Sequence, residues 1–229
     1  VYQRVLAIAN KEQRGYITPQ EFNLYANQAQ MDILEQYFYD LNQFLRIPGN
    51  DTEYSDAVNI IEEKISIFEA SVNVGNTYNS TDGSVNIDGI PNFYRLGSVQ
   101  LNGIEIEKLE HKDFKVIDRA PLTSPTITRP VYFKQGNFLN LRPLSIAANP
   151  SLVEVFYIRI PHKVGWGYVV TNDKALYNAS NSIDFELHAS EETELVIKIL
   201  TLAGITMDDQ ALYQIASQED IKNTQQEKQ

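Results

Sequence analysis

Glu105, Glu107 and Glu110 are the acidic cluster most suggestive of acid–base chemistry, since glycoside hydrolysis needs two carboxylates on either side of one bond. Glu105 and Glu107, however, alternate along the polar face of a hairpin pattern, and a solvated strand face accounts for them. His111, His162 and His188 lie far apart, and none has a second histidine or a cysteine at ligand spacing. The chain contains no cysteine, which excludes a disulfide framework, a thiolate metal site and a cysteine nucleophile. No dinucleotide fingerprint, Walker motif or Gly-x-Ser-x-Gly elbow occurs. Gly165-Trp166-Gly167 lacks the lysine of a phosphate cradle and reads as a turn holding an aromatic anchor. The acidic, Asn-rich stretch Asp82 to Asp88 lacks the ligand order of an EF-hand. Tyr25, Tyr37, Phe38 and Tyr39 could suggest a base-stacking platform, but most of them fall on a helical apolar stripe with no basic groove beside it. Asn50, Asn79 and Asn178 open Asn-x-Ser/Thr sequons, which are chance matches without an export signal. The residues thus point to no catalytic group, no cofactor and no metal.

The elements that would position these residues change character along the chain. Residues 1–14 read as a helix stopped by Gly15. In Ile17-Thr18-Pro19-Gln20-Glu21-Phe22, Thr18 caps the next helix, Pro19 fits its first position, Glu21 completes a capping box, and Ile17 with Phe22 forms a hydrophobic staple. Phe22, Tyr25, Ala26, Ala29, Ile33, Tyr37, Phe38, Leu41 and Leu45 then recur at helical spacing until Pro48-Gly49. A third helix over 53–68 presents Ala57, Ile60, Ile61, Ile65 and Phe68, and the short connections predict three antiparallel helices.

From Asn73 to Gly89 the chain is polar and reads as a flexible loop or a projecting tip. Strand signals follow. Asn102-Gly103 joins Tyr94–Leu101 to Ile104–Leu109 and pairs Leu101 with Ile104, Val99 with Ile106 and Gln100 with Glu105. Residues 120–129, with two prolines, read as an extended loop of the kind that carries intersubunit contacts. Gly136-Asn137 turns Val131–Lys134 into Phe138–Arg142, which Pro143 stops. Leu152 to Ile160 puts Val153, Val155 and Tyr157 on one face and Phe156, Ile158 and Ile160 on the other. A strand apolar on both faces requires cover on both, from the chain's own helices or from a neighbouring subunit. Towards the C-terminus Ser190 caps a helix rich in acid in its first turn, with Gly204 as its stop and Leu200 touching Ile205. A last helix starts at Asp208, with Met207 against Leu212, and beyond about Gln218 the sequence is too polar to order itself.

The 229 residues are 43% apolar and carry a net charge of −11. That composition fills a core, and the charge argues against tight sequence-independent DNA binding. Charge is unevenly spread, with 5 basic and 11 acidic residues in 1–72, 10 and 8 in 73–170, and 4 and 11 in 171–229. Together with the change of periodicity, this predicts an α+β fold. N- and C-terminal helices (1–72 and 171–229) form an α-helical domain, and an antiparallel β domain (73–170) is inserted between them. No apolar run approaches the roughly 18 residues of a membrane span and no signal-peptide layout opens the chain, so the reading is of a soluble, non-exported protein.

The segment Arg129-Pro130-x-Tyr132, Gly136-Asn137-x-Leu139-x-Leu141-x-Pro143, followed by Tyr157-x-Arg159-x-Pro161, resembles the head-to-tail adaptor proteins of tailed bacteriophages. Residues 9–38 and 185–205 resemble virion proteins of short-tailed, crAss-like phages. The resemblance implies a structural, non-enzymatic virion protein at the portal vertex or neck, assembled in the bacterial cytoplasm. It would form a homo-oligomeric, dodecameric ring between the portal protein and neighbouring tail or ring proteins, and DNA would pass through without specific binding. On this reading the acidic Glu191, Glu192 and Glu194 are expected to face the DNA channel and repel passing DNA. Gln218, Glu219, Asp220, Ile221 and Lys222 are expected to order on docking with a partner. Two rival readings remain: a carbohydrate-binding β module with Trp166 on its contact surface, and a glycosidase or peptidoglycan-cleaving enzyme using two of the β-domain carboxylates, with Glu105 and Glu110 the ones to substitute.

Overall fold

The computed structural model describes residues 1–11, 17–46, 52–172 and 174–206. Three helices come first, α1 (Tyr2–Lys11), α2 (Pro19–Arg46) and α3 (Thr52–Ser66). Strands β1 (Glu69–Asn73), β2 (Tyr78–Asn79), β3 (Ser84–Asn86), β4 (Phe93–Leu101), β5 (Ile104–Glu105) and β6 (Glu107–Lys108) follow. After helix α4 (His111–Arg119) come β7 (Val131–Gln135), β8 (Phe138–Arg142), β9 (Val153–Arg159), β10 (Tyr168–Thr171), β11 (Lys174–Tyr177) and finally α5 (Glu192–Thr206). The fold is α+β, with helices at both ends and strands in the middle. No helix among the described residues is long and apolar enough to cross a membrane.

Two compact units divide the chain. One joins Val1–Ile67 to Pro161–Gln229, and the other is Phe68–Ile160. The insertion therefore begins at Phe68 rather than 73 and ends at Ile160 rather than 170. At the first boundary β1 is a sheet strand, paired with β9 from Glu69↔Ile158 to Asn73↔Glu154. At the second, the chain leaves the sheets after β9, and the hairpin β10–β11 falls in the unit that holds the helices.

In the helical unit α2 begins as its sequence predicts. The Thr18 amide and hydroxyl donate to Glu21 Oε2 at 2.9 and 2.7 Å, and the Glu21 amide donates to Thr18 Oγ1 at 3.3 Å. Ile17 and Phe22 are both buried beside this capping box. Phe22, Ala26, Ala29, Ile33 and Tyr37 form the buried stripe, while Leu45 at its far end is exposed. The other faces of the core come from α3 and from α5, both packed on α2, and α1 packs along α5. α5 is buried on most of its circumference at Leu195, Val196, Ile197, Ile199, Leu200 and Ala203, as befits a central helix. It runs on to Thr206, so Gly204 lies inside the helix instead of stopping it. Its start also differs from expectation. Ser190 lies within a short 3-10 turn, Ala189–Glu191, whose cap is His188, with the Ser190 amide donating to His188 Nδ1 at 3.3 Å. The predicted features at Gly15, Pro48-Gly49, Met207, Asp208 and Leu212 lie outside the described residues.

The β unit contains two sheets, ordered β1-β9-β4-β5 and β2-β3-β8-β7-β6. All pairings are antiparallel except β6 with β7. Side chains of both sheets meet in one core, with Val99, Leu101, Val153, Val155 and Tyr157 from the first and Val85, Tyr132, Leu139 and Leu141 from the second. Both predicted hairpins are present. Gln135 pairs with Phe138 across Gly136-Asn137, and Leu101 pairs with Ile104 across Asn102-Gly103. The second hairpin is short, because at buried Ile106 the chain crosses to the other sheet. Glu105 and Glu107 therefore belong to two sheets and do not share one strand face.

Two further segments depart from the sequence reading. Residues 73–89 are folded, not a loose tip, and Val74, Val85 and Ile87 enter the core. The asparagines serve local turns, with the side-chain oxygens of Asn73, Asn79 and Asn86 each accepting from the amide two residues on. Helix α4 was not anticipated. It covers the outer face of β7 through Phe114, whose ring lies 4.3 Å from that of Phe133. Val131, Tyr132 and Phe133 are consequently all buried, so β7 is the strand that the chain itself covers on both faces.

Candidate functional site

Asn23, Asn27 and Gln30 stand on one side of α2, and their amides grip an extended segment that follows the β unit. Asn23 Nδ2 donates to Trp166 O at 3.4 Å and the Trp166 amide donates to Asn23 Oδ1 at 2.7 Å. One turn on, Asn27 Nδ2 donates to Val164 O at 2.9 Å and the Val164 amide donates back at 2.8 Å. Gln30, only 2% exposed, donates to His162 O at 2.9 Å and accepts from the Glu186 amide at 3.2 Å. Helical spacing meets strand spacing here, since every second residue of 162–166 finds a side-chain amide where a neighbouring strand would stand. Glu186 closes the ladder, with Oε2 accepting from the His162 amide at 2.8 Å and Oε1 lying 2.6 Å from the ring nitrogen Nδ1.

The other edge of the segment is held just as fully. Gly165 and Ile183 exchange both backbone hydrogen bonds at 3.1 and 2.8 Å, and the Gly167 amide donates to Ser182 Oγ at 3.0 Å. A Cβ on Gly167 would lie 2.6 Å from Asn178 O and from Asn181 C, so only glycine allows this approach. Held on both edges, the segment fixes Trp166 among rings: Tyr2 at 4.2 Å, Tyr177 at 5.7 Å and Tyr168 at 5.9 Å. Trp166 is thus packed as an anchor, but Gly165-Trp166-Gly167 is an extended segment and not the expected turn, and it sits in the helical unit and not in a β module. Beside it opens a cleft of about 530 Å3, with Tyr2, Trp166, Tyr177 and Phe185 in its walls. Asn23, Asn27 and Gln30 escaped the sequence reading, although polar amides at i, i+4 and i+7 interleaved with a buried stripe were the signal available.

The three glutamates expected to face a channel occupy different environments. Glu191 is 3% exposed and its Oε1 lies 2.6 Å from Lys64 Nζ on α3, with the Ser190 hydroxyl donating at 2.9 Å. Burial pushes its carboxyl up, but the hydrogen bond and charge of Lys64, together with hydrogen bonds from Ser190 and Glu194, outweigh burial and hold it below the usual carboxylate range. Lys64 Nζ also lies 5.5 Å above the Tyr37 ring. Glu194 is half-buried beside Lys198 at 3.5 Å, and Glu192, exposed, meets Arg4 at 3.2 Å. Glu191 and Glu192 tie the start of α5 to α3 and α1, Glu194 pairs within α5 itself, and Glu192 is the most open of the three. Gln218, Glu219, Asp220, Ile221 and Lys222 lie outside the described residues.

The imagined carboxylate pair is dispersed, since Glu107 meets Arg129 at 3.9 Å and Glu110 meets Lys112 at 3.0 Å. Among the described residues no three His, Asp or Glu side chains converge as a metal site. Asp88 accepts from Asn137 Nδ2 at 3.0 and 3.2 Å and so belongs to the turn it borders.

In the β unit the central strand β9 has one closed and one open face. Val153, Val155 and Tyr157 are buried, whereas Phe156 and Ile158 are half-buried and Ile160 is exposed. A trough of about 480 Å3 runs over Phe156 and Ile158 between Ala70 and Gly97. Gly97 forms its flat side, because a Cβ there would lie 2.9 Å from Phe156 O. This face requires cover, from the chain's own helices or from a neighbouring subunit, and the β unit by itself supplies it only in part. No family model matches the sequence, and no curated protein matches it.

Proposed function

We propose that this chain is a structural, non-enzymatic virion protein that forms an oligomeric ring between the portal and the tail of a bacteriophage, surrounding the channel through which DNA passes. The observation that carries the reading is the open face of β9. Phe156 and Ile158 lie in the middle of a four-stranded sheet, at a place where a strand apolar on both faces needs cover, and the β unit by itself leaves that face half open. A second polypeptide is the natural cover, and contact between unlike faces of identical copies forms a ring where the rotation between them closes. The acidic ends of the chain favour a conduit, since like charge keeps DNA moving and unbound.

The test is the mass of the purified chain, alone and with the portal protein of the same virion, for the wild type and for Phe156→Glu with Ile158→Glu. The wild type should form a defined multimer on its own or on the portal, and the double variant should stay monomeric while keeping its circular dichroism. A wild type that is monomeric under both conditions, or a variant that assembles normally, would sink the proposal.

A further inference from the structure

The cleft beside Trp166 has the size and chemistry of a ligand site. Its volume of about 530 Å3 lies within the roughly 300–1,000 Å3 of small-ligand clefts. Tyr177 is 59% exposed on one wall, and Gln3 and Asp184 stand exposed at the rim. The Ser182 hydroxyl, also in the lining, is already committed, accepting from Gly167 N and donating to Asn178 O. Among the lining residues Asp184 carries the only charged side chain. An anionic ligand would meet that carboxylate with no side-chain cation to answer it, and the Val1 ammonium in the lining already lies 3.9 Å from Glu192 Oε1. A wholly apolar ligand would strip water from Gln3 and Asp184 without replacing the lost hydrogen bonds. A sugar ring satisfies both demands, because its C–H face can lie on an aromatic ring while hydroxyls at its edge donate to a carboxylate and pair with an amide.

We infer that this cleft binds a neutral saccharide, with Tyr177 as the stacking platform and Asp184 and Gln3 as the hydroxyl partners. The inference stands apart from the ring assembly, since it uses only side chains of the helical unit. A cation would be drawn to the same ring and carboxylate, and the experiment separates the two.

The chain has a single tryptophan, so Trp166 emission reports on the cleft without a label. The full chain is titrated with maltotetraose, cellotetraose and the N-acetylglucosamine tetrasaccharide, and in parallel with tetramethylammonium. At least one neutral oligosaccharide should give a saturable change. Tyr177→Ala and Asp184→Asn should each weaken that response about tenfold. Both side chains are exposed, so circular dichroism should match the wild type. Silence towards all three sugars, a response to tetramethylammonium alone, or a sugar response unchanged in both variants overturns the inference.

Discussion

Glu191 has acidic neighbours at positions 192 and 194, yet it behaves unlike either. Its burial against Lys64 makes it a structural ion of the helical unit, and removing one member of such a pair leaves the other charge without its partner. Glu191→Gln should cost about 2–3 kcal/mol in urea denaturation, below the value for a fully buried pair because Lys64 keeps some contact with water. The pH dependence has a definite sign. The folded carboxyl lies below the unfolded value of 4.5, so the pair stabilises fully above that pH and loses its effect as the pH falls through the lowered folded value. Stability curves of wild type and variant should therefore be parallel near neutrality and converge in acid. A gap that persists at low pH would assign the loss to packing instead. Thr18 and Glu21 were legible from sequence because a capping box is complete within four residues. Lys64 with Glu191 was not legible, since nothing local in either stretch names the other.

Among the elements, the amide ladder on α2 is the least expected and the most exposed to challenge. Asn27→Ala leaves both the amide and the carbonyl of Val164 without their partner, and should cost about 2–4 kcal/mol if each lost bond costs about 1–2. Hydrogen exchange at Val164 should accelerate well beyond that in the β unit. Equal acceleration everywhere would instead mark a general loss of stability. Sequence periodicity revealed α2, the two hairpins and β9, because each satisfies its own pattern over a few residues. It missed α4, although Asp113 in its first turn, Arg119 in its last and Phe114 on its apolar side were there to be read, because the segment is only nine residues long and lies between strand signals. It also misread 73–89, where asparagine and glycine are spent on tight turns inside a sheet and not on looseness. The segment 162–166 was beyond its reach, since a strand whose neighbour is a helix face leaves no pairing pattern to find.

At the scale of the molecule, a net charge of −11 resists the approach of identical copies. If the open face of β9 drives association, salt should help it. Raising NaCl from about 0.1 M to about 1 M shortens the screening length from about 10 Å to about 3 Å. Sedimentation velocity should then shift towards larger species. Dissociation by salt would point to contacts made by opposite charges, and away from an apolar contact. The amide ladder carries a last consequence, in time. Asn23 and Trp166 are separated by 143 positions, whereas the two-residue turns of the β unit bring their strands together at once. Closing so long a loop is slow until the intervening chain has condensed, so the insertion should fold early and the helical unit should close last. Contacts absent from the rate-limiting step govern how fast the native state is lost and not how fast it is reached. The ladder is thus a latch on the lifetime of the folded chain.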